Sequence, residues 1–287
     1  MRKSRYIFVI LLMAVFVGAG AVFARRYSRR RNSERRGVPN WTPSREFSHD
    51  IFTFVRIQYS TGYGGGGYGG GYGRGRGRGG GSWATDWPDS DLNFSFRLQQ
   101  LTSMQVHPEG VILELTDPEL FNYPFIYIVE PGRLVFSEEE IDCLRRYLLN
   151  GGFLMVDDFW GQDEWDNFYY EIKRVFPDRE PVEVRLSHPI FHAVFDLKEK
   201  PQIPNIQQAL DGRSYGITWE PRNSDTRTPF YKAIYDNNGR MMAFICHNTD
   251  LGDGWEREGE NEWYFHEFSE KKAYPLGINI VFYAMTH

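Results

Sequence analysis

Ser137-Glu-Glu-Glu-Ile-Asp-Cys-Leu-Arg-Arg-Tyr-Leu-Leu-Asn-Gly-Gly-Phe-Leu-Met-Val-Asp-Asp158 decides the fold class. The Ser137 hydroxyl can accept the amide of Glu140 while the Glu140 carboxylate reaches back, a reciprocal pair that starts a helix. Ile141, Leu144, Tyr147 and Leu148 follow at helical spacing and give the helix one apolar stripe. Asn150-Gly151-Gly152 ends it, because glycine accepts the left-handed conformation past a helix terminus without steric cost. Phe153 to Val156 is an apolar run of buried-strand length, and it passes straight into Asp157-Asp158.

The same alternation continues on both sides. Upstream, Phe52 to Tyr59 alternates and is rich in β-branched and aromatic residues, which predicts a strand. Ser90-Asp91 is read as the cap of a helix through Leu101, and Val111–Leu115 and Phe125–Val129 as short strands. Downstream, Trp165, Phe168, Tyr169, Ile172, Val175 and Phe176 keep helical spacing until Pro177. Tyr231–Tyr235 and Met241–Ile245 flank Asp236-Asn-Asn-Gly239, a hairpin turn, and Lys271 to Met285 reads as a closing helix. Strands separated by helices require parallel crossovers, so the expected fold is α/β, a mostly parallel sheet flanked by helices and extended by a β-hairpin.

Composition sets outer limits. The chain has 287 residues with 41% apolar, 25% charged and 16% aromatic, which excludes collagen, coiled coils and polytopic membrane proteins. Its net charge is −5, and the first 24 residues hold three cations and no acid, so the remainder carries −8. An acidic body is a poor non-specific partner for nucleic acid. Cys143 and Cys246 lie too far apart in sequence for a zinc pattern or a disulfide framework.

Residues 1–24 combine a basic start, an apolar run from Tyr6 to Phe23 and the small residues of Val22-Phe23-Ala24, which predicts a signal peptide or an amino-terminal membrane anchor. Residues 25–49 read as a basic, polar linker, and the seven arginines between Arg25 and Arg36 oppose translocation. Export, to the periplasm or to a membrane anchor facing it, is the expectation for the body at 50–287. Within it, residues 62–81 hold fourteen glycines, three tyrosines and three arginines. Such a stretch cannot bury enough surface to offset its ordering entropy and is expected to be a disordered insertion.

The Gly-Gly-Phe-Leu-Met-Val-Asp-Asp run, together with Tyr123-Pro-Phe-Ile-Tyr-Ile-Val129, His188-Pro-Ile190, His247-Asn-Thr-Asp-Leu-Gly-Asp-Gly-Trp-Glu256 and Leu276-Gly-Ile-Asn-Ile-Val-Phe-Tyr-Ala284, resembles a bacterial family of unknown function numbered 4159. Through it the chain resembles the class I glutamine-amidotransferase-like, flavodoxin-like fold. The resemblance implies a nucleophile turn after the strand that follows the glycine pair, with a histidine at the end of a later strand as its base. Here that turn holds Asp157 and Asp158, the histidine is His247, and Cys143 lies in the preceding helix. Glutamine hydrolysis through a thioester is therefore not expected. The resemblance also implies neighbours in the cell envelope, namely MoxR-type ATPases and von Willebrand-type domain proteins.

In open α/β sheets ligands bind beyond the carboxyl ends of the strands, which points to Asp157 and Asp158. One of them is expected to face the crevice and the other to cap the next helix. His247, Asp250 and Asp253, spaced His-x-x-Asp-x-x-Asp with Gly252 and Asn248 between them, form a loop of acceptors. With Asp158 they suit a divalent metal, the one cofactor this set points to. An Asp beside His247 would stabilise an imidazolium. Asp86, Trp160, His188 and Trp255 are further ligand-binding candidates, with Trp160, Trp255, Trp263 and Tyr264 able to stack on a planar group. Two functions follow: an exported, non-amidotransferase domain binding a small polar ligand or an envelope protein, or a metal-assisted or Asp/His hydrolase acting on a carbohydrate or peptide-like substrate. ThuA-like proteins, linked to sugar metabolism, support the second by fold analogy alone.

Overall fold

In the computed structural model, residues 37–44, 46, 50–62, 82–222 and 225–287 are described. The expectations for the amino-terminal apolar run and for most of the Gly-rich segment lie outside these residues. The unit considered below is Val38–His287.

Its centre is a seven-stranded sheet in the order β5-β2-β6-β8-β11-β10-β9. The strands are β2 (Val55–Ile57), β5 (Val111–Leu113), β6 (Phe125–Val129), β8 (Phe153–Asp157), β9 (Val182–Glu183), β10 (Phe230–Tyr235) and β11 (Met241–His247). From β5 to β11 every pairing is parallel, and β10 and β9 extend the edge antiparallel. This is the mostly parallel α/β sheet with a hairpin that the sequence predicts. Two small pairs flank it: β1 (Ile51–Phe52) with β4 (Gln105–Val106), and β3 (Ser60–Thr61) with β7 (Leu134–Val135).

Alternation along the strands divides the core. Phe125, Tyr127, Phe153, Met155, Phe244 and Cys246 pack on one face against α1 (Asp89–Leu101), α5 (Leu251–Glu256) and α6 (Tyr274–Thr286). Ile126, Ile128, Leu154, Val156 and Ile245 pack on the other against α2 (Glu138–Leu149) and α3 (Gly161–Val175). A further helix, α4 (Ile206–Gly212), lies in the long connection before β10. Among the described residues no helix is long and apolar enough to cross a membrane.

Several elements follow their sequence signals closely. The Ser137–Glu140 capping box is complete, and Gly151 takes φ 104° just past α2. Three expectations need correction. The run from Phe52 to Tyr59 is split between two short strands rather than forming one, because Phe52 pairs with Val106 and Val55–Ile57 pair with β5. Ser90 and Asp91 do not cap α1, which starts at Asp89 without a side-chain cap; both turn inward to a buried arginine. The closing helix is α only from Tyr274, since Phe265–Ala273 is a π-helix and Pro275 has no N–H to give the preceding turn. Finally, the Trp41 indole donates to the Val106 carbonyl at 2.8 Å, so packing onto this unit begins before Asp50.

Candidate functional site

Three neighbouring parallel strands end in the same unusual way. Glu130 follows β6 with φ 47°, Asp158 follows β8 with φ 56°, and Asn248 follows β11 with φ 60°. Asp86, just before α1, has φ 62°. These are the four non-glycine residues with positive φ among those described. Each costs of order 1–3 kcal/mol (about the low end for Asp and Asn) and persists only where the surroundings over-determine it. Their concentration at the carboxyl edge of the sheet marks the place where such folds bind ligands.

Asp157, the last residue of β8, is fully buried. Its Oδ2 accepts the amides of Leu251 and Gly252 at 2.9 and 3.1 Å, and the Tyr127 hydroxyl at 3.2 Å. The carboxylate expected to cap the helix next in the chain thus caps α5, which comes almost a hundred residues later. Helix α3 begins without a side-chain cap. Asp157 Oδ1 is buried with no hydrogen-bond partner, and burial pushes the pKa up to about 7.

Asp158 turns toward Asp86 and Asp250, and its Oδ1 accepts the Trp160 indole N–H at 3.1 Å. One carboxylate oxygen from each of Asp86, Asp158 and Asp250 lies within 4.8 Å of the others. Asp158 and Asp250 are buried and Asp86 is half-buried. Burial raises all three pKa values well above the ordinary carboxylate range, followed by repulsion from Glu256 and Asp253 on Asp86, from Glu130 and Asp86 on Asp158, and from Asp158 and Asp86 on Asp250. The Asp250 oxygen that faces the helix also caps α5 through the Asp253 amide at 2.7 Å. Asp86 Oδ2 is enclosed and takes no N–H donor among the described residues, and the Asp86 carboxyl has that of Glu256 as a hydrogen-bonding neighbour. Gly252 makes this convergence sterically possible. A Cβ there would lie 2.4 Å from Asp86 Oδ2 and 3.5 Å from Asp250 Oδ1.

A second set, Asp86 with Asp253 and Glu256, meets the same 4.8 Å criterion. Its charge is partly compensated, because Arg257 lies 3.0 Å from Asp253 and 2.8 Å from Glu256. Asp253 also accepts the Ile206 amide at 2.6 Å. Among the described residues the first set has no cation within ion-pair distance, so it is the less compensated of the two. Oxygen-only donors of this kind suit a hard divalent cation such as Mg²⁺, Mn²⁺ or Ca²⁺.

Other sequence candidates are placed elsewhere. The end of β11 lies beside that of β8, as expected, but the His247 ring turns away from the carboxylates. Its Nε2 bonds the Gly161 carbonyl at 3.0 Å, and Phe159, Trp165 and Phe230 surround it. Burial and the nearby Lys232 lower its pKa to about 4, so it is a neutral imidazole. The imidazolium beside an aspartate is therefore corrected, and His247 belongs to neither carboxylate set. Asn248 is a strut, accepting the Gly161 amide at 2.8 Å and donating to the Thr228 carbonyl at 2.9 Å.

His188 caps a short turn through the Ile190 amide, and its ring packs on Tyr283. Trp255 is sealed among Phe54, Phe94 and Tyr127. Trp160 and Tyr264 are buried as well, so none of these three offers an open face to a planar ligand. Cys143 lies on α2, and Cys246 is buried inside β11 with its thiol pKa pushed up by that burial.

Sequence reasoning missed Glu130, Glu256 and Arg56. Glu130 carried the same signal as Asp157, an acid ending an apolar strand, here just before Pro131. Burial moves its pKa up to about 7. Glu256 was hidden in a run read for its histidine and aspartates. Arg56 sits inside a strand pattern, where nothing local marks a buried cation.

The chain belongs to the family described as a domain of unknown function, DUF4159, whose model matches residues 56–285. No curated protein matches it.

Proposed function

Within that family, we propose that this domain binds one divalent cation through Asp86, Asp158 and Asp250 and uses it to hold a small polar ligand at the carboxyl edge of the sheet. The observation that carries this reading is the convergence of three carboxylates, two of them on left-handed backbone, with no cation in ion-pair distance among the described residues. Buried like charges without a partner are costly, and a cation removes that cost. Asp86 Oδ2, enclosed and without an N–H donor among the described residues, supports the same reading. The architecture we favour is amidotransferase-like, with Asp158 at the turn where an active relative carries its thiol.

The domain is proposed to act outside the cytoplasm, in an envelope assembly of the MoxR and von Willebrand type; the apolar run at Tyr6–Phe23 and the family resemblance support this. A second reading, metal-assisted hydrolysis of a carbohydrate or peptide-like substrate, is favoured by Asp157. Its pKa near 7 suits a proton acceptor beside a metal-bound water.

The test is a calorimetric titration of the purified protein with Mn²⁺ in parallel with Asp158→Asn and Asp250→Asn. We expect saturable binding at one site, lost in both variants. No binding to the wild-type protein would overturn the proposal.

A further inference from the structure

Arg56 lies on β2, one strand in from the edge of the sheet, with none of its side chain exposed. A guanidinium in such a place is tolerated only with its charge paired and its donors filled. Its Nε reaches both oxygens of Asp91 at 3.1 and 3.2 Å, and Nη2 reaches Asp91 Oδ1 at 2.6 Å and the Ser90 hydroxyl at 2.9 Å. Nη1 is directed differently. It donates to the main-chain carbonyls of Trp83 at 3.0 Å and Thr85 at 2.9 Å. Burial works against the Arg56 charge, but the Asp91 carboxylate more than offsets it, so the group stays protonated.

These bonds bracket one residue. Thr85, immediately before Asp86, is held by Nη1. Ser90, whose amide donates to the Asp86 carbonyl at 3.0 Å, is held by Nη2. Between the two clamps Asp86 takes φ 62°, a conformation that needs support from its surroundings. No bond from Arg56 to the Asp86 carboxylate is needed for this, since the guanidinium fixes the main chain on either side. The planar, forked geometry matters: an ammonium keeps the charge but cannot reach Asp91, Ser90 and two carbonyls at once.

We infer that Arg56 is a positioning residue that holds Asp86 in its left-handed conformation, so that its carboxylate is in place before any cation arrives. This rests on the proposal that Asp86 is a cation ligand. It goes further by making the site preorganised and by assigning the cause to a residue that touches no ligand. Groups that orient ligands in this way typically alter metal affinity by about 10- to 100-fold when changed.

The experiment uses the full-length protein, with Mn²⁺ as probe. Arg56→Lys keeps the charge and loses the two carbonyl clamps. Asp91→Asn removes the counter-charge, and so stability, but leaves an amide oxygen to accept from Nε and leaves Nη1 on its carbonyls. We expect Arg56→Lys to bind Mn²⁺ about 10- to 100-fold more weakly, with faster hydrogen exchange over Ser82–Asp86. Asp91→Asn should be destabilised yet bind as the wild type does. Equal loss of affinity in both variants, or unchanged affinity in Arg56→Lys, overturns the inference while leaving the cation site standing.

Wild-type protein that takes no Mn²⁺ overturns the cation site. In that case exchange over Ser82–Asp86 in the two variants still decides the clamp. If Arg56→Lys does not fold, wild-type exchange is measured with and without Mn²⁺. Equal protection of the Thr85 and Trp87 amides in both states supports preorganisation, and protection that appears only with Mn²⁺ contradicts it.

Discussion

Changing Asp157 to asparagine should flatten the dependence of stability on pH. Asp157 is fully buried, and burial raises its pKa from the ordinary 3.8 to about 7. The fold therefore binds this proton more tightly than the unfolded chain does. Its stabilising contribution is complete below the unfolded value and is lost as pH climbs through the folded one, the reverse of a salt-bridged carboxylate. At about 1.4 kcal/mol per pH unit, the full window is worth about 4 kcal/mol, of which about 2.5 kcal/mol falls between pH 5 and pH 8. Glu130 and Glu256, also raised to about 7 by burial, push the same way and remain in the variant. The difference between the two proteins therefore isolates Asp157. Urea unfolding in chelator at pH 5 and pH 8 measures it. The wild type should lose about 2.5 kcal/mol more than Asp157→Asn over that interval. Equal pH dependence in the two proteins would refute the reasoning.

Gly252→Ala should abolish Mn²⁺ binding while the domain stays folded, because its Cβ would arrive 2.4 Å from Asp86 Oδ2; titration and circular dichroism together check this. His247→Ala should leave Mn²⁺ affinity unchanged and cost about 1–3 kcal/mol of stability, since the ring fills an aromatic pocket and bonds the Gly161 carbonyl. A reporter fused after His287 should be active outside the cytoplasm, and activity confined to the cytoplasm would contradict export.

What the sequence made legible was local. Ser137 and Glu140 settle the start of α2 between themselves, and Gly151 settles its end. The hairpin turn Asp236–Gly239 likewise carries its own chemistry, and the apolar runs at Phe125 and Phe153 could only be internal strands. Asp158, Asp250 and Asp86 were reachable too, because position at a strand end or beside one is a topological inference.

The failures have one cause, the choice of partner across long sequence separations. Asp91 looks like a helix cap until Arg56, thirty-five residues upstream, supplies a buried charge that it must neutralise. One of Asp157 and Asp158 was expected to cap the next helix, but the amides of Leu251 and Gly252 claim Asp157. His247 stands at the expected strand end, yet side-chain direction there is set by Phe159, Trp165 and the Gly161 carbonyl, all on elements whose approach the sequence does not encode locally.

The central claim is that a divalent cation sits among Asp86, Asp158 and Asp250. Anomalous diffraction from crystals soaked in Mn²⁺ tests it most directly. The account predicts a single peak within bonding distance of one oxygen from each of these three aspartates, about 2.0–2.6 Å for hard cations of this class. A map without that peak, or one whose peak lies against His247 instead, would contradict it.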